Sequence, residues 1–162
     1  MKVATHVVGL LFSADFSHVL LIRKARPPWQ TGKLNGVGGR IEPGETAHAA
    51  MHREFEEETG CTSKVDWRWF CNYDCPAHGT VMDFFCAADE HAFIRARNPD
   101  ASEPLVRASL RPWNREVGGE PTLPCDTLQR ETVPNLLWLI PMALNLLGDR
   151  SSDTFVVEEQ QG

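Results

Sequence analysis

Arg53-Glu54-Phe55-Glu56-Glu57-Glu58-Thr59-Gly60 closes a stretch that holds no glycine or proline from Glu45 to Thr59. Helix formers dominate that stretch and Gly60 stands where a helix stops, so the pattern predicts a helix over Glu45–Thr59. The helical repeat then sorts the acids. At ~100° per residue, with Ala47 at zero, Met51, Phe55 and Ala50 define an apolar arc between roughly 300° and 80°. Glu54 (about 340°), Glu58 (about 20°) and Glu57 (about 280°) border that arc, whereas Glu56 lies near 180°. Most charge runs are solvated faces. Three carboxylates bordering a buried stripe are different, because they repel one another and lose hydration unless a cation lies between them. Oxygen donors of this kind suit a hard divalent ion such as Mg²⁺, which keeps several waters and bridges to phosphates.

The residues before the helix have the opposite charge. Arg23, Lys24, Arg26, Lys33 and Arg40 lie in a segment without a single acid, and the same segment is rich in glycine. A basic, glycine-rich loop beside a carboxylate cluster would place cations on both sides of a metal-complexed phosphate chain. A basic solvated loop is the plainer alternative. Trp29 stands in this loop, where an aromatic face could stack on a ligand.

The rest of the chain bounds the class. It has 162 residues, 42% hydrophobic and 23% charged, which fits one globular domain and excludes disorder and a disulfide scaffold. With 16 Lys+Arg against 22 Asp+Glu the net charge is -6, so a grip on a nucleic-acid duplex is not expected. Five cysteines without C-x-x-C spacing point to a reducing, cytoplasmic setting. The apolar run Val7–Phe12 makes a poor signal peptide, and Leu136–Leu144 is far short of the ~20 residues that span a bilayer, so no membrane partner is expected. Cys71 and Cys75, with His78 nearby, miss the usual spacing of a zinc site.

Strands are predicted over Val3–Phe12 and Val19–Arg23, separated by a turn at Ser13–Ser17, and Lys64–Tyr73 pairs with Thr80–Ala88 as a hairpin around Pro76 and Gly79. Trp67 and Trp69 read as sheet-core residues. Arg26–Gly39, Asn98–Pro104 and Pro112–Pro124 read as loops, Leu105–Leu110 as a short strand, and Pro134–Leu147 as a buried last helix. Gly148–Gly162 is polar and reads as a frayed tail. Strands interleaved with two helices give an α/β or α+β fold with a mixed sheet.

Gly39, then five residues, Glu45, then seven residues and Arg53-Glu54-Phe55-Glu56-Glu57-Glu58-Thr59-Gly60-Cys61 resembles the Nudix box, G-x5-E-x7-R-E-U-x-E-E-x-G-U, at every fixed position. Phe55 and Cys61 depart mildly at the apolar U positions, which bears on packing rather than chemistry. The resemblance implies an αβα sandwich, with the domain taken as residues 1–148 ahead of the polar tail 149–162, and metal-dependent hydrolysis of a nucleoside diphosphate linked to a group X. Mg²⁺ is the implied cofactor, with Mn²⁺ as a substitute. Glu54, Glu57 and Glu58 would ligate the metal together with the carbonyl of Gly38, and Arg53 and Glu45 would orient them. Arg53 could equally be a plain i,i+4 partner of Glu57.

Water attacking a pyrophosphate meets anionic oxygens, so cations must neutralise them and a carboxylate must accept the proton. Nudix families differ over that carboxylate, leaving Glu57, Glu54 and, from a later loop, Glu103 as candidates; a solvated loop acid is the plainer reading of Glu103. Gly32-Lys33-Leu34-Asn35-Gly36-Val37-Gly38-Gly39 also resembles the entry to the box in MutT-type enzymes that destroy oxidised purine nucleoside triphosphates. Pro134-Asn135 is similar to the stretch where those enzymes place a base-reading residue. The substrate-binding candidates are therefore Asn35, Trp29, Arg23, Lys33, Arg40 and Asn135, although Asn35 could merely shape its turn and Asn135 support the last helix. A nucleotide sugar or dinucleotide as substrate, or a non-catalytic nucleotide-binding regulator, are the competing readings. The regulator should have lost a box glutamate, and none is missing.

Overall fold

The computed structural model describes residues 2–110, 128, 130–149 and 155–158. Its strands are β1 (His6–Phe12), β2 (His18–Arg23), β3 (Leu34–Asn35), β4 (Arg68–Cys75), β5 (Thr80–Ala88), β6 (Leu105–Ser109) and β7 (Phe155–Glu158). The helices are α1 (Ala47–Thr59), α2 (Glu90–Arg95) and α3 (Leu136–Asp149).

Among the described residues the strands form one sheet in the order β3-β2-β1-β5-β4-β7, with β6 paired to β2. The β1–β5 and β4–β7 pairs are parallel and the others antiparallel, so the sheet is mixed. Both of its faces are covered, which explains why β1 and β2 read as continuous apolar runs rather than as alternating ones. Odd-numbered Val7 and Leu11 of β1 pack with Ala50, Met51 and Phe55 of α1 and with Ala92 and Phe93 of α2. Even-numbered Val8, Leu10 and Phe12 pack on the other face with Leu136, Leu139, Ile140 and Ala143 of α3. The result is the expected αβα sandwich.

Local signals set the ends of α1. The Thr46 side chain accepts from the Ala49 N–H, and Gly60 takes the left-handed conformation (φ 63°) that stops the helix at no steric cost. Glu45 therefore lies just outside the helix rather than opening it. Ala50, Met51, Phe55 and Thr59 are its buried residues, as the wheel requires.

The structure differs from the sequence reading in several places. β4 begins at Arg68 rather than Lys64, although Trp67 is buried and Trp69 packs against the core as expected. Helix α2 was not anticipated; only the Asp89 carboxylate, capping the Ala92 N–H at 2.9 Å, marks it locally. The segment read as a frayed tail contributes β7, placed by parallel pairing of Phe155–Glu158 with Cys71–Asp74. The loop expected over Pro112–Pro124 lies outside the described residues. No helix among them is long and apolar enough to cross a membrane.

Phe55 is 1% exposed and meets Trp67 edge-to-face at 5.5 Å. Phe55→Ala should lower stability by about 3–5 kcal/mol, and Glu56→Ala on the opposite face by less than about 0.5 kcal/mol. Denaturant unfolding of both variants checks the helix phase.

Candidate active site

The site is assembled where residues 37–40 run alongside β1. The Gly9 N–H donates to the Val37 carbonyl at 2.7 Å and the Val7 N–H to the Gly39 carbonyl at 2.9 Å. This pairing lays Gly38 and Gly39 between β1 and α1. A Cβ at Gly38 would stand 2.1 Å from the Val7 carbonyl oxygen, and one at Gly39 only 2.4 Å from a Glu54 carboxylate oxygen. Gly38 thus leaves no room for a side chain against the backbone of β1, and a side chain at position 39 would displace the Glu54 carboxylate.

On the α1 side of the seam Arg53 gathers the acids. Its Nε and Nη2 donate to the two oxygens of Glu45 at 3.0 and 2.9 Å, and Nη2 also donates to the Arg40 carbonyl at 2.9 Å. Nη1 reaches Glu54 at 2.8 Å and Glu57 at 3.4 Å. The i,i+4 contact with Glu57 is therefore the weakest of its interactions, and orientation of Glu45 and Glu54 the strongest. Glu57 is more exposed than the wheel suggested, its side chain at 59%.

Glu58 behaves differently. It accepts from the Gly38 N–H at 2.8 Å and lies 3.6 Å from the Lys24 ammonium. Burial nevertheless dominates and pushes its carboxyl up to about 7, against the pull of Lys24 and Gly38. Lys24 also donates to Glu103 at 2.8 Å, and Glu103 accepts from the N–H groups of Ala25 and Arg26 at 2.8 and 3.3 Å. Glu103 is thus a buried anchor rather than a solvated loop acid. Burial works to raise its carboxyl, but Lys24 and these N–H donors together hold it below the ordinary carboxylate range.

The donor set of Glu54, Glu57 and Glu58, oxygen only and on one helix, suits a hard divalent cation. Their side chains are turned onto Arg53 and Lys24 instead of onto a common point. Among the described residues no group of three His, Cys, Asp or Glu side chains is gathered closely enough to hold an ion. The burial of Glu58 is the observation that favours a cation there, since a carboxyl withheld from water and only partly compensated gains most from one.

A cavity of about 690 Å³ opens on the other side of the seam. Gly38 and Gly39 form its floor with Val7 and Val8 of β1, while Tyr73 and Met82 of the β4–β5 hairpin make an apolar wall. Lys24, Arg26 and Arg40 line it, and among the described residues no Asp or Glu does. Trp29, Asn35 and Asn135, three of the substrate-binding candidates, also line it. Arg23 and Lys33 do not: Arg23 is spent on the Gly32 carbonyl at 2.8 Å and Glu131 at 2.6 Å, and Lys33 on the Arg130 carbonyl at 2.5 Å.

The two asparagines divide in an unforeseen way. The Asn35 amide donates to Gln30 at 3.2 Å and accepts from the Gly36 N–H at 2.8 Å, so it shapes the glycine turn. Asn135 is brought alongside by pairing of residues 132–133 with Leu34, and its backbone carbonyl starts α3 by accepting from Leu139 at 3.1 Å. Its side-chain Oδ1 is buried without a hydrogen-bond partner among the described residues. A buried orphan acceptor on a cavity wall is what a ligand donor would satisfy. Lys24, Arg26 and Gln30 are cavity residues outside the candidates drawn from the sequence. Nothing local indicates which of the five cations turn toward the cavity.

Because Glu58 is harder to ionise in the folded chain than in the unfolded one, its own contribution to metal-free stability is full below the ordinary carboxylate pKa and is lost as pH rises through about 7. Glu58→Gln keeps the acceptor for Gly38 and should raise stability at pH 8 in chelator by roughly 2–3 kcal/mol, with no gain at pH 4. Thermal unfolding across that range checks the sign.

Comparison with known proteins bears on the family and the fold. The family model described as NUDIX domain matches residues 3–116. Among solved structures, MutT described for Aliivibrio salmonicida and Vibrio cholerae is 20% identical with a TM-score of 0.58, covering 86% of this chain and 98% of its own. The NUDIX domain of Shewanella oneidensis NrtR, complexed with ADP ribose, is 21% identical with a TM-score of 0.60, covering 91% and 90%. MutT from Bacillus halodurans is 17% identical with a TM-score of 0.59, covering 96% and 89%. At these identities the structural likenesses establish the fold. No curated protein sequence matches significantly. With the box complete and the family model matching most of its length, the chain belongs to the NUDIX domain family.

Proposed function

We propose that the protein is a Mg²⁺-dependent nucleoside triphosphate pyrophosphohydrolase that releases a monophosphate and pyrophosphate, with purine nucleotides, oxidised purines among them, as substrates. One observation carries this reading. A cavity lined by Lys24, Arg26 and Arg40 and, among the described residues, by no acid adjoins a carboxylate-bearing helix across the Gly38–Gly39 seam. A polyphosphate lying across that seam meets cations on one side and metal-binding acids on the other.

Glu54, Glu57 and Glu58, with the Gly38 carbonyl, would hold the ion. When bound, a divalent cation neutralises phosphate charge and acidifies a bound water. The chain's own residues do the rest. Arg53 keeps Glu54 and Glu45 in place. Lys24, pinned by Glu103, presents one ammonium to Glu58 and to the cavity at once. Glu57, the most exposed of the three metal-side glutamates, accepts the proton of the attacking water, and Glu103 serves as the anchor of Lys24. Asn135 reads the base: its orphan Oδ1 can accept from the N7 hydrogen that an 8-oxo purine has and guanine lacks.

A panel of normal and oxidised nucleoside triphosphates, nucleotide sugars and dinucleoside polyphosphates, assayed with Mg²⁺ and scored for products, tests the reading. Monophosphate with pyrophosphate supports it; sugar phosphate, released from a substrate of the ADP-ribose kind, replaces it. Glu57→Gln should lower turnover at least ~10²-fold with the fold intact, since each 1.36 kcal/mol is tenfold, whereas Glu56→Gln should be nearly silent. Normal kcat for Glu57→Gln at saturating Mg²⁺ would remove it from the site. Asn135→Ala should raise KM and shrink the preference for purines over pyrimidines without altering Mg²⁺ dependence. Asn35→Ala should instead lower Tm and leave the preference unchanged. Unchanged selectivity in the Asn135 variant would overturn the purine assignment.

A further inference from the structure

Two stacked rings line the cavity. Trp29 stands on a short 3-10 turn, Pro28–Gln30, between β2 and β3, and His78 on another, Pro76–His78, between β4 and β5. Their rings lie face to face, with centroids 4.8 Å apart and planes 3° from parallel. Both residues line the cavity, and neither belongs to the packed cores on the two faces of the sheet. Trp29 is 53% exposed, an unusual place for so large an aromatic side chain.

We propose that the Trp29–His78 pair is a nucleobase slot: the rings stack on each other when the cavity is empty and part to take a base between them, which makes His78 a specificity-determining residue. The proposal deepens the nucleotide reading and rests on it. The geometry favours a planar aromatic ligand, because the two faces are already parallel and each offers a π surface of the kind that bases stack on. Admitting a base requires the rings to separate by about one further stacking distance, ~3.5–4 Å. That movement is confined to two turns, each flanked by a glycine with positive φ, Gly32 at 80° and Gly79 at 58°. Lys24 and Arg40 line the same cavity, so a base in the slot leaves the phosphates among cations.

The test compares wild type with Trp29→Ala, His78→Ala and His78→Phe. Calorimetric affinities for GMP and for ribose 5-phosphate are measured beside kcat and KM for a purine nucleoside triphosphate. Both rings are at the surface, so an unchanged Tm is the folding control. Loss of one stacking face should weaken GMP binding and raise KM roughly 10-fold, with kcat within about twofold. His78→Phe, which keeps a flat ring, should restore both, and the affinity for ribose 5-phosphate should not move in any variant. GMP affinity indifferent to both alanine variants overturns the slot. So does an equal loss for ribose 5-phosphate, or a His78→Phe variant as weak as His78→Ala. If no nucleoside triphosphate is hydrolysed while GMP binding still depends on the rings, the triphosphate reading fails and the slot stands; hydrolysis with ring-independent GMP affinity has the opposite meaning.

Discussion

Everything in the site depends on how closely the backbone at Gly38 and Gly39 can approach both β1 and α1. The hydrogen bonds Val7–Gly39 and Gly9–Val37 fasten this strip to the sheet, and the absence of a side chain at Gly39 lets the Glu54 carboxylate press against it. One wall therefore has acids behind it and cations in front. If the strip stood off by the width of a methyl group, the helix carboxylates and the basic cavity would be two unrelated surfaces.

The charges on either side are managed by two basic residues with different tasks. Arg53 uses its planar fork to fix Glu45 bidentately while its remaining nitrogen reaches Glu54 and Glu57, a geometry lysine cannot supply. Lys24 is a compact point charge and bridges Glu58 to Glu103 through the narrow space at the end of β2. That one ammonium does not offset the burial of Glu58, which leaves its carboxyl near 7 and the folded chain with an unmet demand for positive charge. A bound cation would meet that demand.

The cavity is built from pieces far apart in sequence. β3 pairs with residues 132–133 and brings Asn135 beside Asn35, while the β4–β5 hairpin supplies Tyr73, Met82 and His78 from the opposite side. Complementary features thus converge on one volume: cations for an anionic chain, an orphan amide oxygen for a donor, and a pair of parallel rings for a flat group.

The carboxylate helix, its stop at Gly60, its buried face and the family motif are legible in the sequence, because these are fixed by the helical repeat and by residues within one or two turns of each other. The sequence also placed β1, β2 and β5 closely, where β-branched and apolar runs end at turn residues. Long-range pairing selected which cations face the cavity, Lys24, Arg26 and Arg40 rather than Arg23 and Lys33. It likewise decided that Asn135 keeps a free amide oxygen while Asn35 spends its own on a turn, and that Glu103 anchors Lys24 instead of facing solvent. Strand β7 and the partner of Trp29 belong with these. Each depends on the register of strands or the meeting of turns separated by tens of residues, where the same side chain is equally at home in either arrangement until long-range pairing selects one.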